Sequence, residues 1–395
     1  MIDPAHADIR GLLVVSTSEG PRLLVHRAET YGEARAEVRV FAASSSMLPL
    51  SDVGQLPLPA GVHRVEMFSP GSERVEVVAS VRPQGGSLHT LFELRGRDVA
   101  PRGDIVLGDL DRVVSAGTRL AIVGLDVEES TASDEDRIEV SVVWREASFP
   151  AARMTLPRVR GRDDWLVSDP LVAMNEERAA VAVIRCPSVG PHAFTRARVR
   201  CRLDLMIRDG RTTTHASPLE IFTGGEHVSG AGLAMALEPG GVVIAYPEGS
   251  GTSRARFVFK RFASSRWSDA APALVQATDG REGGAVLALA AEPLRFVFTT
   301  SISGTGLEPP NPNSWQPRAH VATLEPSGWT VSSAFPTSRA DRLGLTYRSG
   351  VIDESGAWVA LASGAGTPGR ETVCMGRFHD GQWQAAQSVM GSCED

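Results

Sequence analysis

A run of four alternating arginines is the strongest candidate for a binding surface. Residues 196–203 read Arg-Ala-Arg-Val-Arg-Cys-Arg-Leu, and alternate side chains of a β-strand share one face. A strand here places Arg196, Arg198, Arg200 and Arg202 together, although four like charges in a row repel one another. Two interpretations stay open: a solvated outer strand with acidic neighbours, or a ladder of guanidinium groups that binds the carboxylates of an acidic peptide or protein.

A second basic strand follows, with Arg254, Arg256, Lys260 and Arg261, and extends this surface in the binding interpretation. Lys260 is the only lysine among the 40 basic residues. Coding bias explains this preference for arginine over lysine. A surface rich in planar guanidinium groups that bind carboxylates explains it as well. Both explanations can hold together.

A proline-rich loop between Ser303 and Arg318 is the second candidate for recognition. It contains the stretch Glu308-Pro309-Pro310-Asn311-Pro312-Asn313-Ser314-Trp315. Loops on a rigid scaffold are where binding residues concentrate, and a tryptophan is a frequent anchor in interfaces. We therefore predict Trp315 as a ligand-binding residue, with a tolerated surface excursion as the alternative.

Motifs for catalysis and for metal binding are missing from the sequence. There is no Gly-x-Ser-x-Gly elbow and no phosphate-binding loop ending in Gly-Lys. The nine histidines show no ligand spacing, and the four cysteines form no Cys-x-x-Cys pair. We predict no catalytic residue, no metal and no cofactor. A pair of carboxylates in a funnel stays open as an alternative, because 47 acidic residues make such pairs common.

Charge and hydrophobicity narrow the classes of partner. The net charge of −7 argues against a protein that binds nucleic acid by neutralising phosphates, and no apolar run is long enough for a membrane span. The first ten residues lack the pattern of a signal peptide. We therefore expect a cytoplasmic protein that binds neither nucleic acid nor membrane. A hairpin can place Cys186 opposite Cys201, but in that compartment we expect all four cysteines, Cys186, Cys201, Cys374 and Cys393, to be reduced thiols.

The elements that must position these residues are β-strands. Apolar residues recur with period two, and breakers fall between the apolar runs at short intervals. The clearest predicted strands are 10–16, 22–26, 34–41, 73–81, 137–144, 179–184, 197–206, 241–246 and 254–262.

The strands group into a repeated unit. An acidic or polar residue, a small turn and an apolar strand recur at residues 17–25, 174–182, 237–245 and 352–360. In later copies a second strand pair ends in an aromatic residue, as at Trp267, Trp383 and, in a shorter form, Trp329. Seven units result: 9–58, 59–111, 112–160, 161–223, 224–277, 278–339 and 340–392. Each has room for four strands, which is typical of propeller blades.

We therefore predict an all-β fold, a single seven-bladed β-propeller of four-stranded antiparallel blades over residues 1–395. The alternatives are six or eight blades, or an N-terminal β-sandwich over residues 1–160 followed by a smaller propeller. The phrase with Asp353, Gly356 and Trp358, together with the Asp-Gly-Gln-Trp hairpin, resembles repeats of bacterial propellers of the sialidase-like and lectin-like kind. It departs from the sialidase Asp-box in its serine and its glycine-to-tryptophan spacing, so no catalytic residue is carried over.

These observations favour a non-catalytic binding protein. The arginine ladder predicts a peptide or protein ligand on the propeller face, including a precursor peptide presented to modifying enzymes in a bacterial natural-product pathway. Two alternatives stay open: a carbohydrate-active enzyme, glycosidase or lyase, and a carbohydrate-binding lectin with a funnel site. Fold alone does not decide between them, because propellers carry all three functions.

Overall fold

A computed structural model describes the chain as strands joined by turns, and its described residues contain no helix. The described residues are 7–29, 36–42, 50–58, 62–71, 74–81, 87–95, 98–105, 112–116, 119–128, 137–144, 152–157, 165–167, 170–175, 177–187, 199–210, 212–223, 232–248, 254–277, 284–300, 318–335, 345–363, 372–384 and 387–390. Over these residues the search for a helix that could cross a membrane found none.

The chain divides into two compact units. Unit 1 comprises Met1–Asp109, Phe296–Thr299 and Gly306–Asp395, and unit 2 comprises Leu110–Arg295 and Thr300–Thr305. The strands of each unit form antiparallel sheets, and most strands pair with their neighbours in sequence.

Unit 1 contains three complete sheets. The first has β1 (Ala7–Val15), β2 (Arg22–Glu29), β3 (Ala36–Ala42) and β4 (Ser51–Gln55). The second has β5 (Val62–Gly71), β6 (Arg74–Val81), β7 (Ser87–Arg95) and β8 (Asp98–Ile105). The last has β27 (Leu345–Asp353), β28 (Gly356–Ser363), β29 (Thr372–His379), β30 (Gln382–Trp383) and β31 (Gln387–Met390).

Unit 2 also contains three complete sheets. One has β9 (Arg112–Ala116), β10 (Arg119–Glu128), β11 (Arg137–Trp144) and β12 (Ala152–Pro157). The next has β13 (Trp165–Val167), β14 (Leu171–Met174), β15 (Arg178–Pro187), β16 (Val199–Asp209), β17 (Thr212–His215) and β18 (Leu219–Thr223). The third has β19 (Ala234–Glu238), β20 (Gly241–Glu248), β21 (Arg254–Ala263) and β22 (Arg266–Ala277).

The remaining strands form a seventh sheet. It contains β23 (Gly284–Ala290), β24 (Arg295–Thr300), β25 (Arg318–Glu325) and β26 (Gly328–Val331). The all-β class and the antiparallel sheets of about four strands, typical of a β-propeller, are thus confirmed. Seven successive sheets fit the predicted number of blades. That they form one domain over residues 1–395, divided as predicted, stays a proposal.

The repeated sequence phrase marks one structural position. In four sheets it forms the turn into the central strand, before β2, β15, β20 and β28. Those strands lie in the interior of their sheets, and Leu24, Val181, Val243 and Val359 are fully buried. Gly356 in the last of these turns has a φ of +136°, and a β-carbon there would lie 2.4 Å from the Phe378 carbonyl oxygen. The turn therefore requires glycine at this position.

The aromatic hairpins also occupy one position, the connection from the third to the fourth strand of a sheet. Trp267 begins β22 and lies 5.2 Å from the Phe262 ring, and Trp383 in β30 lies 5.3 Å from the Phe378 ring. Each indole N–H donates to a serine carbonyl oxygen 50 residues earlier, Trp267 to Ser217 and Trp383 to Ser333. The repeat thus fixes each hairpin to backbone outside its own sheet.

In unit 1 the first and the last sheet are neighbours. The Val14 backbone N–H donates to the Ser349 hydroxyl at 2.9 Å, and the Ser16 hydroxyl donates to Asp353 at 3.1 Å. Beneath these bonds Ile9 and Val14 share a core with Trp358. The turn before β28 therefore contacts residues more than 330 positions away in sequence.

The structure corrects the prediction of reduced cysteines. Cys186 and Cys201 form a disulfide, and Cys374 is disulfide-bonded as well. The prediction rested on the compartment, whereas the register decides the outcome. Because Arg185 pairs with Arg202, the next pair places Cys186 directly opposite Cys201. Both side chains are buried in the core of unit 2.

Candidate functional site

A cleft of about 670 Å³ in unit 2 is the best candidate for a functional site. The outer strand β18 forms one side, and the face and edge of the sheet of β19 to β22 form the rest. Its lining residues are Glu220, Phe222, Tyr246, Glu248, Arg256, Val258, Lys260, Asp269, Ala270, Ala271, Pro272 and Ala273. The volume is within the usual range for small-molecule sites.

Three ion pairs involve residues of the cleft wall. Arg200 pairs with Glu220 and Arg256 with Glu248. Lys260 Nζ lies 2.6 Å from Asp269 Oδ1. The Glu248–Arg256 pair joins β20 to β21, and the Lys260–Asp269 pair joins β21 to β22. Cross-strand register therefore builds the polar wall.

Apolar surface adjoins these charges. Among the described residues, the large hydrophobic side chains that are exposed are Phe222, 36% exposed, and Val275, 49% exposed. Phe222 lines the cleft, and Val275 pairs with Arg256 of the cleft wall. Phe222 therefore adds exposed apolar surface beside the paired charges of the cleft wall.

Tyr246 forms the buried part of the cleft wall and is 4% exposed. Burial raises the pKa of its hydroxyl, and the negative charges of Glu248 and Asp269 raise this pKa further. The phenol therefore stays protonated at neutral pH and keeps a hydrogen that it can donate.

The edge of β22 is irregular along the cleft. The pairing of β21 with β22 shifts register on both sides of Phe259, and Pro272 follows the shift. A proline in an outer strand has no N–H to donate and blocks the addition of another strand. The bulge increases local twist and leaves the backbone of 269–273 along the cleft.

The related hairpin in unit 1 shows which residue the fold requires at the position of Lys260. Lys260 precedes Phe262 of one hairpin by two residues, and Gly376 precedes Phe378 of the other. A β-carbon on Gly376 would lie 2.1 Å from the Phe335 ring, which is buried at 1% exposure. An aromatic ring therefore fills that position, so the repeat does not require a lysine.

The described part of the predicted arginine ladder lies beside the cleft and is paired with acids. Arg200 contacts Glu220, and Arg202 Nε lies 4.0 Å from Asp204 Oδ1. Asp204 in turn receives a 2.8 Å hydrogen bond from Nε of the buried Arg185. Strand β16 is paired on both sides, with β15 and with β17 and β18, so it is not an outer strand.

Other predicted residues divide into three groups. Arg196, Arg198 and Trp315 lie outside the described residues, and their binding role stays a prediction. Arg256 and Lys260 of the second basic strand line the cleft. Arg261 points to the other face and lies 2.6 Å from Glu238.

The sequence did not identify Glu220, Phe222, Glu248 or Asp269 as site residues. These four residues share a location beside the basic strands β16 and β21. This location becomes apparent only once the cross-strand register is known. Within the described part of the chain, no group of three histidine, cysteine or acidic side chains is placed to hold a metal ion.

Comparison with known proteins shows only distant structural likeness. No family model matches the chain, and no curated protein matches it. Trypanosoma rangeli sialidase is 10% identical at a TM-score of 0.40, covering 95% of this chain and 55% of its own. The chain thus spans about half the length of that sialidase.

Two further solved structures give similar values. A point mutant of the Aleuria aurantia lectin, solved in complex with alpha-methyl-L-fucoside, is 10% identical at a TM-score of 0.41, covering 99% of this chain and 97% of its own. AofleA from Arthrobotrys oligospora is 9% identical at 0.44, covering 98% of this chain and 90% of its own. At these scores the likenesses identify no ligand or activity for this chain.

Proposed function

We propose that this protein is a non-catalytic binding protein whose cleft holds a saccharide. The observation that carries the proposal is the combination of acid–base pairs with the exposed Phe222 ring in one cleft. Each pair offers a donor beside an acceptor, and each sugar hydroxyl can accept and donate. An exposed aromatic ring gives the apolar C–H face of a sugar ring a surface to cover.

The charges of the cleft favour this ligand over the acidic peptide predicted from the arginines. The lining contains three acids, Glu220, Glu248 and Asp269, against two bases, Arg256 and Lys260. Each of these acids is paired with a base, so the described lining has no excess of positive charge to attract a ligand with several carboxylates. Pro272 also disfavours an extended peptide that adds to the edge of β22. A peptide ligand, and a role in presenting a precursor peptide, stay predictions that no described contact favours.

We also propose that the protein folds in an oxidising compartment rather than in the cytoplasm. Two cysteines in unit 2 and one in unit 1 are disulfide-bonded. Such bonds are rare in cytosolic proteins, where glutathione and thioredoxin keep thiols reduced. Alkylation of unreduced protein from its source cells, read by mass spectrometry, tests this: labelling of all four thiols would contradict it.

A glycan array with the full-length chain tests the saccharide proposal. We expect binding to a restricted set of glycans, loss of that binding in Phe222→Ala, and no release of free sugar on incubation with the glycan. The matched control is Arg39→Ala, which breaks the exposed Arg39–Asp52 ion pair on another sheet. An array without binding, or binding that Phe222→Ala leaves unchanged, would overturn the proposal. Sugar release would show an enzyme instead.

A further inference from the structure

The only lysine of the chain lies in the cleft. The other basic residues are arginine, including Arg256 and Arg261 on the same strand. A compositional bias towards arginine would place an arginine at position 260 too, unless the position needs an ammonium group. Because the related hairpin has Gly376 there, the fold itself does not supply that need.

The geometry around Lys260 shows what an ammonium offers. Asp269 Oδ1 accepts one of its three hydrogens at 2.6 Å. The Lys260 side chain is 27% exposed and that of Asp269 is 72% exposed. Within the described residues neither group has another partner of opposite charge, so Nζ keeps further donors, the carboxylate keeps acceptor sites, and both residues line the cleft.

An arginine would change this arrangement. A guanidinium binds a carboxylate through two parallel hydrogen bonds and would occupy both oxygens of Asp269. The ammonium is a compact charge that occupies one oxygen. With lysine the pair therefore keeps the second oxygen of Asp269 as an acceptor beside the remaining donors on Nζ.

We propose that the Lys260–Asp269 pair binds a vicinal diol of the saccharide and determines its specificity. One hydroxyl accepts a hydrogen from Lys260 Nζ, and the hydroxyl on the adjacent ring carbon donates to the Asp269 carboxylate. The Nζ–Oδ1 separation is comparable to the spacing of two such oxygens, and both hydrogen bonds are strengthened by charge. This inference rests on the proposed function and identifies the vicinal diol as the group of the ligand that the cleft recognises.

A single lysine makes the test direct. Selective labelling with lysine that carries ¹⁵N at Nζ gives one side-chain resonance from the full chain. The probes are methyl glycosides of glucose, galactose, mannose and N-acetylglucosamine, each paired with its fully O-methylated derivative. We expect at least one glycoside to shift the resonance in a saturable way, and its O-methylated derivative to cause no shift.

Two variants measure the contribution of the pair. For the glycoside that binds, Lys260→Arg is expected to weaken binding roughly tenfold or more, since a lost charged hydrogen bond is worth that much. Asp269→Asn, at a highly exposed position, is expected to do the same with an unchanged melting temperature. Arg39→Ala should bind as the unaltered protein does.

The outcomes separate the inference from the proposed function. If a glycoside binds and Phe222→Ala abolishes binding, while neither pair variant weakens it, the diol inference is wrong and the saccharide site stands. If the O-methylated derivative shifts the resonance equally, the diol inference is also wrong. If no glycoside binds the unaltered protein, both fail.

Discussion

Replacing His26 with leucine should remove a large part of the acid sensitivity of unit 1. His26 lies in β2 at 4% exposure, and neither ring nitrogen has a hydrogen-bond partner in the described structure. Burial and, to a smaller extent, the nearby charge of Arg10 together lower the pKa of the ring from 6.5 to about 4. The folded protein therefore binds a proton at this site less readily than the unfolded chain.

The sign and the size of the effect follow from linkage. Above pH 6.5 both states are neutral at His26 and the site adds no pH dependence. As the pH falls from 6.5 to about 4 the unfolded chain takes up the proton first, so the free energy of unfolding decreases. The loss is about 2 kcal/mol by about pH 5 and approaches about 3 kcal/mol at lower pH.

Hydrogen–deuterium exchange of peptides from residues 7–29 measures this locally, at a series of pH values with exchange rates corrected for pH. The difference in opening free energy between His26→Leu and the unaltered protein should grow by the stated amount on acidification. His379→Leu is the control, because the His379 side chain is 40% exposed. If the pH profiles of His26→Leu and the unaltered protein run parallel, the reasoning about His26 is refuted.

Three further perturbations test other parts of the structure. Replacing both Cys186 and Cys201 with alanine removes their bond, which closes a separation of 15 residues, and should lower the free energy of unfolding by about 3 kcal/mol in urea titrations; an unchanged midpoint in the double variant would contradict this. Gly376→Ala should destabilise by about 1–3 kcal/mol or more through the Phe335 ring, and Phe335→Leu in the same chain should restore part of the loss. Arg185→Met should cost about 3–5 kcal/mol by leaving Asp204 buried without its main partner, whereas the double change with Asp204→Leu should cost much less, as thermal unfolding of the set will show.

Local sequence patterns were sufficient to predict most of the strands and turns. Period-two alternation located strands such as β11 and β20, and the turn phrases located the entry to β15 and β28, because both signals depend on neighbours in sequence. Propeller sheets pair mostly with the next strand, so local signals suffice for them.

The sequence did not predict which residues from distant strands lie close together. Phe222 and Lys260 both line the cleft because β18 lies against β20 of the next sheet, which no local pattern encodes. His26 is buried because β2 is covered on both faces, and no local pattern around this residue indicates that burial. The hairpin pairing of Cys186 with Cys201 was considered, but the disulfide was not predicted because the expected compartment favoured reduced thiols.

The contact between the first and last sheets of unit 1 has a consequence for the order of folding during synthesis. Ile9, Val14 and Val25 emerge from the ribosome early, whereas Trp358, Ala360 and Met375, which cover them, emerge more than 300 residues later. Until then one apolar face of the first sheet has no native cover and is exposed to chaperones and to other nascent chains. The Val14–Ser349 and Ser16–Asp353 bonds therefore form among the last in the molecule.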